Sequence, residues 1–174
     1  MVDYQRLHLQ HSSNSNDTGK YGDEGPFDVP SEMQGTWYSA DYNSDSTVTF
    51  KAHTMTSSAD GETSTLKLYK QGNQFLAGDD VNNKTIIDAT KDWGSAKMMH
   101  ANDLDFLNIR GWCQSAGDGD SYAIHTETIN GKPVKVLVLA GGAGFWTSAV
   151  YYQSQDLAKQ QTDAHYDDLI YQDD

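Results

Sequence analysis

From Trp37 onward, apolar and polar positions alternate with a period of two, the pattern of strands that bury one face. In STVTFKAHTM, Val48, Phe50 and Ala52 share a face opposite Thr47, Thr49, Lys51 and His53. TLKLYK sets Leu66 and Leu68 together, and Asp60-Gly61 precedes it. Gly72-Asn73 then leads into QFLAG; both dipeptides accept the positive φ that tight hairpin turns demand. KTIIDAT reads as a strand, DWGSAK as a turn and MMHAND as a short strand ending in polar residues. FLNIRGWCQ and DSYAIHTETI follow as strands, and Asn130-Gly131 separates the second from KPVKVLVLA, the strongest hairpin signal in the chain. Pro133 stands at the start of its strand, where a missing donor is tolerated. After the aromatic-rich GFWTSAVYYQ, Ser154 caps a short helix over SQDLAKQQ, with Asp156 in its first turn. The acidic DAHYDDLIYQDD closes the chain, with Leu169, Ile170 and Tyr171 as its packing residues.

About eight short strands joined by tight turns, with one helix near the end, predict an all-β domain over residues 29–174. An antiparallel β-barrel is favoured over an open sheet, because closure removes the unpaired edges an open sheet exposes. Residues 1–28 hold few large apolar side chains around a Ser/Asn-rich centre and read as a flexible polar tether. His8 and His11 lie at i, i+3 in this arm, a spacing that chelates a metal only in a helix, and the arm's composition argues against one.

Composition narrows the function classes. The apolar fraction is 37%, below the ~45–50% usual for globular domains on a slightly different count. The polar ends account for part of that deficit. Lys and Arg total 12 against 25 Asp and Glu, a net charge of -13. That field repels nucleic acid and anionic membranes, whose binding depends on cationic side chains displacing counterions. It suits an acidic protein kept soluble and monomeric by charge. Cys113 is the one cysteine, so no internal disulfide forms. No apolar run approaches the ~18 residues of a transmembrane span. Residues 1–25 lack the apolar core of an intact signal peptide, and Met1-Val2 reads as a start that follows a removed leader.

Two resemblances sharpen the fold expectation. Gly35-Thr36-Trp37 at the first strand resembles the lipocalin and calycin group, in which the Trp lies across one barrel end and the Gly allows close backbone approach. VPSEMQGTWYS, GWCQSAGDGDSY and VLVLAGGAGFWTS together are similar to a group of uncharacterised secreted or surface proteins of lactic-acid bacteria. That second likeness covers most of the domain. It implies a secreted or cell-surface location in Gram-positive bacteria and a lipocalin-like barrel, and it brings no catalytic residues.

The candidate sites are few. In SAGDGDSY, Asp118 and Asp120 alternate with glycines, but the further acidic ligands of a calcium loop are missing and Glu127 falls at the wrong spacing. LAGGAGFW lacks the Gly-Lys-Ser/Thr ending of a P-loop and a following helix, so its glycines read as structural. His53, His100, His125 and His165 each sit alone, without a zinc spacing, so no metal site and no cofactor is expected. Cys113 beside Trp112 reads as a small buried hydrophobe. The aromatics carry more weight, because Trp and Tyr in a barrel suit an apolar ligand or a sugar face. Trp112, Tyr122, Trp146 and Tyr152 are the expected ligand-binding residues. The function expected is non-catalytic: binding a small apolar or glycan-like ligand, or a cell-envelope partner. The alternative is a small extracellular hydrolase using carboxylates such as Asp105, Asp118 or Asp120.

Overall fold

The structure, a computed structural model, describes residues 19–40, 45–77 and 79–173. His8 and His11 lie outside the described residues. In chain order the elements are β1 (Asp23–Pro26), β2 (Gly35–Ala40), β3 (Asp45–Phe50), β4 (Thr54–Ala59), β5 (Glu62–Gln71), α1 (Asn73–Ala77), α2 (Lys84–Ala89), β6 (Trp93–Ala101), β7 (Leu104–Gly111), β8 (Asp120–Ile129), β9 (Lys132–Gly141), β10 (Trp146–Tyr151) and α3 (Gln155–Gln160). Single 3-10 turns at Lys20–Gly22 and Ser31–Met33 flank β1 and lead into β2.

The chain is mostly β, and its strands join one ten-stranded sheet ordered β10-β9-β8-β7-β6-β5-β4-β3-β2, with β1 paired to β5 off that path. Three two-residue hairpins hold the register. Asp60-Gly61 and Asn130-Gly131 adopt the positive φ expected of them, and so do Asn102 and Asp103 between β6 and β7. Among the described residues every strand pair is antiparallel except β5 with β6, which run parallel from Lys67↔Trp93 to Tyr69↔Ser95. A parallel neighbour needs a long crossover, and α1 and α2 supply it.

That crossover corrects three expectations. KTIIDAT is helical over Lys84–Ala89 rather than a strand. The Asn83 side chain accepts the Thr85 N–H, and burial falls on Ile86 and Thr90 at i, i+4 while Ile87 stays 41% exposed. A strand would have sent Ile86 and Thr90 to one face with Asp88 between them. Gly72-Asn73 opens α1 rather than a hairpin, and Phe75 of QFLAG packs beneath it against Trp112. DWGSAK is no turn, since Trp93 begins β6. Gly94 serves there as a close-approach residue. A Cβ on it would lie 3.0 Å from Leu68 Cδ2 and 3.2 Å from Ile109 Cγ2.

One face of the sheet holds the main core, with Trp37, Val48, Phe50, Leu68, Leu107, Tyr122, Leu137 and Tyr151 in a single cluster. Val48 and Phe50 are buried as expected, whereas Ala52 is exposed beyond the end of β3, and Leu66 packs against the cluster that holds Leu68. Trp37 is 1% exposed, and its Nε1 donates to Met33 O at 2.8 Å, so the 3-10 turn before β2 is pinned against the core. The opposite face carries a second cluster of Ile129, Val136, Val138, Tyr152, Ala158 and Leu169. β9 is thus apolar on both sides, because α3 and the C-terminal segment cover the face that Leu137 and Leu139 do not use.

The two ends of the sheet path, β2 and β10, meet at an isolated bridge. Tyr38 and Tyr152 exchange both backbone hydrogen bonds at 2.7 Å. Ser39 Oγ donates to Val150 O at 3.0 Å, and Ser46 Oγ donates to the Tyr151 hydroxyl at 3.1 Å. No continuous ladder joins these strands among the described residues, and the Thr147 N–H of β10 donates instead to Ile170 O at 2.7 Å.

Candidate functional site

The seam between β2 and β10 is one place where the fold leaves room. Among the described residues only the Tyr38–Tyr152 bridge pairs the two strands, and residues of β2, β10 and the segment after α3 border the gap beside it. Ser148, which the register skips as a bulge between Thr147 and Ala149, donates its hydroxyl to Leu139 O at 3.3 Å and borders that gap. The result is a cleft of ≈ 240 Å³ bordered by Ser39, Ser46, Ser148, Tyr152, Gln161 and Asp163. Ser154 caps α3 by accepting the Leu157 N–H at 3.1 Å, as the sequence indicated, and so places the helix over the seam. Tyr152 and Tyr166 meet hydroxyl to hydroxyl at 2.6 Å, and the Tyr166 hydroxyl reaches Gln161 Oε1 at 3.3 Å. Burial, then the hydrogen bond to Tyr166, pushes the Tyr152 phenol far above its ordinary range. It stays a neutral donor.

Beside this pair stands a polar group on the same sheet face. His125 and Glu127 lie at i, i+2 on β8, and the C-terminal segment brings Asp168 over them. His125 Nε2 is 2.8 Å from Asp168 Oδ2 and 3.5 Å from Glu127 Oε1. Glu127 is 7% exposed, and its Oε1 has no hydrogen-bond partner. Burial pushes the Glu127 carboxyl up to about 7, helped by its hydrogen bond to Asp168 and the repulsion between them, against the pull of His125. For Asp168, burial acts upward, but the hydrogen bonds to Glu127 and His125 outweigh it and hold the carboxyl below its ordinary value. Of the two carboxyls, Glu127 is the one that keeps its proton to higher pH.

The four expected ligand-binding residues are not brought together. Trp112 is 2% exposed and packs edge-on to Trp93 at 5.2 Å; its Nε1 donates to Tyr21 O at 2.8 Å. Tyr122 lies in the main core, edge-on to Phe50 at 5.3 Å. Trp146 lies across Gly142 and Gly144 of the β9–β10 turn. Tyr152 is the one of the four that borders the seam cleft. The Asp118 side chain is exposed, its carbonyl accepting from Asn108 Nδ2 at 2.7 Å. Burial raises Asp120 above its ordinary value. His53 and His100 pair with Asp28 and Asp105, and His165 stacks on Tyr171 at 4.0 Å. Sequence reasoning missed the grouping of His125 with Glu127 and Asp168. The i, i+2 spacing was a visible signal for the first two, but Asp168 enters through the tail and gave none.

Comparison with protein-family models, characterised proteins and solved structures finds no match for this chain. No helix among the described residues is long and apolar enough to cross a membrane.

Proposed function

We propose that the protein is an exported, non-catalytic binding module with a lipocalin-like barrel architecture, and that it takes a small glycan-like ligand at the seam rather than in the barrel interior. The meeting of β2 and β10 at the Tyr38–Tyr152 bridge supports the barrel reading. The observation that carries the ligand reading is the contrast between two regions. On the core face, Met33, Trp37, Phe50, Leu107 and Leu137 are each at most 1% exposed, so side chains occupy the space an apolar ligand would need. At the seam, six polar residues and four apolar ones, Ala40, Ala149, Val150 and Ala164, border a cleft of ≈ 240 Å³. That is smaller than the ~300–1,000 Å³ of drug-sized sites and suits one sugar ring better than an acyl chain. Sugar hydroxyls need donors and acceptors together; the serine hydroxyls donate inside the fold and offer acceptor lone pairs, and the Gln161 amide supplies the donors. Such a ligand is the chemistry of a cell-envelope partner.

Calorimetry and thermal shift against a panel of cell-wall sugars test this reading. A sugar at about 100 times its Kd adds ~2.7 kcal/mol. For a domain of this size that is a rise of roughly 5–10 °C. Ser148→Trp, which fills the cleft from the bulge, abolishes the shift, and Asp163→Asn weakens it. A flat panel, or a shift that survives Ser148→Trp, rejects the seam as the binding site.

A further inference from the structure

The group formed by His125, Glu127 and Asp168 has a chemistry the glycan reading does not use. One nitrogen and two carboxylate oxygens, one from each residue, all lie within 4.8 Å of one another. Their contributors differ in rigidity. His125 and Glu127 stand on the ladder of β8, which pairs along its length with β9, while Asp168 arrives on the C-terminal segment with its side chain 49% exposed. The unusual member is Glu127. A carboxylate buried this deeply ordinarily has every oxygen satisfied, yet Oε1 faces His125 and Asp168 without a hydrogen bond.

We propose that His125, Glu127 and Asp168 form a binding site for a divalent transition-metal ion of the Zn²⁺ or Mn²⁺ class. Glu127 Oε1 is the oxygen that lacks a partner and would gain one from the ion. The spacing fits. Two ligands of a tetrahedral ion with bonds of ~2.0–2.2 Å lie roughly 3.3–3.6 Å apart. The Nε2 to Oε1 separation is already 3.5 Å. The Nε2 to Oδ2 contact of 2.8 Å has to open slightly, and the exposed Asp168 is the member free to move. The donor set selects the ion class. An imidazole nitrogen disfavours Ca²⁺ and Mg²⁺, which take oxygen, while the two carboxylates and the lack of thiolate disfavour Cu(I). Charge agrees once the ion displaces the Glu127 proton, since the two carboxylates then balance a divalent cation, and the net charge of -13 draws cations toward the surface. A bound ion ties Asp168 to β8 and so fastens the segment that covers the seam.

The test uses the full chain after chelator treatment, titrated with Zn²⁺ at neutral pH by calorimetry, with the melting temperature followed in parallel. His8→Ala with His11→Ala serves as the background, which removes the histidine pair of the N-terminal arm. One equivalent binds with a rise in melting temperature. Glu127→Gln and His125→Ala each weaken binding by at least about tenfold, since loss of even an outer contact to a ligand costs that much. Asp168→Asn does the same from a half-exposed position, and a native circular dichroism spectrum for that variant keeps the result interpretable if Glu127→Gln fails to fold. Binding of Zn²⁺ with unchanged affinity in His125→Ala and Asp168→Asn overturns the proposal, as does absence of binding up to millimolar ion. No sugar is present in this assay, so its outcome is independent of the seam reading.

Discussion

Four tyrosines set the chemistry of single residues here. Tyr122, Tyr151, Tyr152 and Tyr166 all have phenols raised above the ordinary 10.0, in each case chiefly by burial. For Tyr122, the nearby Asp120 carboxylate adds to the shift. The sign of the pH effect follows from linkage. Above about pH 10 an unfolded phenol loses its proton while the folded one keeps it, so the folded state binds more protons and stability falls as pH rises. Below about pH 10 both states are protonated and the contribution is fully present. Phenolate absorbance and circular dichroism followed together should therefore show part of the tyrosines titrating only as the fold is lost. Titration of all ten tyrosines before any loss of structure would contradict this account. Tyr152→Phe should make the coupling shallower, because one buried phenol is gone.

At the scale of elements, the β9–β10 turn shows how glycine spacing becomes packing. The Trp146 indole lies over Gly142, at φ 75, and over Gly144, where a Cβ would sit 2.6 Å from the indole Nε1. Asn102 from the β6–β7 hairpin donates to Gly144 O and Phe145 O at 3.1 and 3.2 Å, so two turns are tied at one end of the sheet. Gly144→Ala forces the indole off this surface. The expected cost is ~1–3 kcal/mol, the range for overpacking, read in chemical denaturation. Trp146 fluorescence should shift to the red in the folded variant. An unchanged spectrum and midpoint would mean that the indole does not rest on the glycine.

For the whole molecule, the sheet's two ends are held by few backbone bonds and by what lies over them. Tyr38 and Tyr152 form one bridge, while α3 and the C-terminal segment bury Tyr152, Val136, Val138 and Ile129 and satisfy the Thr147 N–H. Deletion of residues 153–174 uncovers this apolar face and the β10 edge together. Exposed edges and contiguous apolar patches drive association. Size-exclusion chromatography should show oligomers or aggregates and a lowered melting temperature for the shortened chain. A monomer with unaltered melting would show that the seam needs no cover.

Much of the architecture was legible from short-range signals. Period-two alternation marked β3, β5, β8 and β9, Asp60-Gly61 and Asn130-Gly131 marked their turns, and Ser154 marked the start of α3, because each is a local backbone preference. Short apolar runs were not so legible. KTIIDAT has a strand's composition, and only burial of Ile86 and Thr90 on one side made it a helix. DWGSAK has the composition of a turn, but packing of Leu68 and Ile109 around Gly94 made it a strand. The Asn102-Asp103 hairpin carries no glycine to announce it. The candidate sites depend still more on tertiary contact. Sequence by itself determined a β-rich chain, its charge, the Asp60-Gly61 and Asn130-Gly131 hairpins and its capped last helix, since these depend on neighbours a few residues apart. Only the tertiary structure decided that β5 and β6 run parallel, that the expected aromatics lie apart, and that Asp168 meets His125 and Glu127. Those outcomes depend on packing between segments far apart in the chain, which no local pattern encodes.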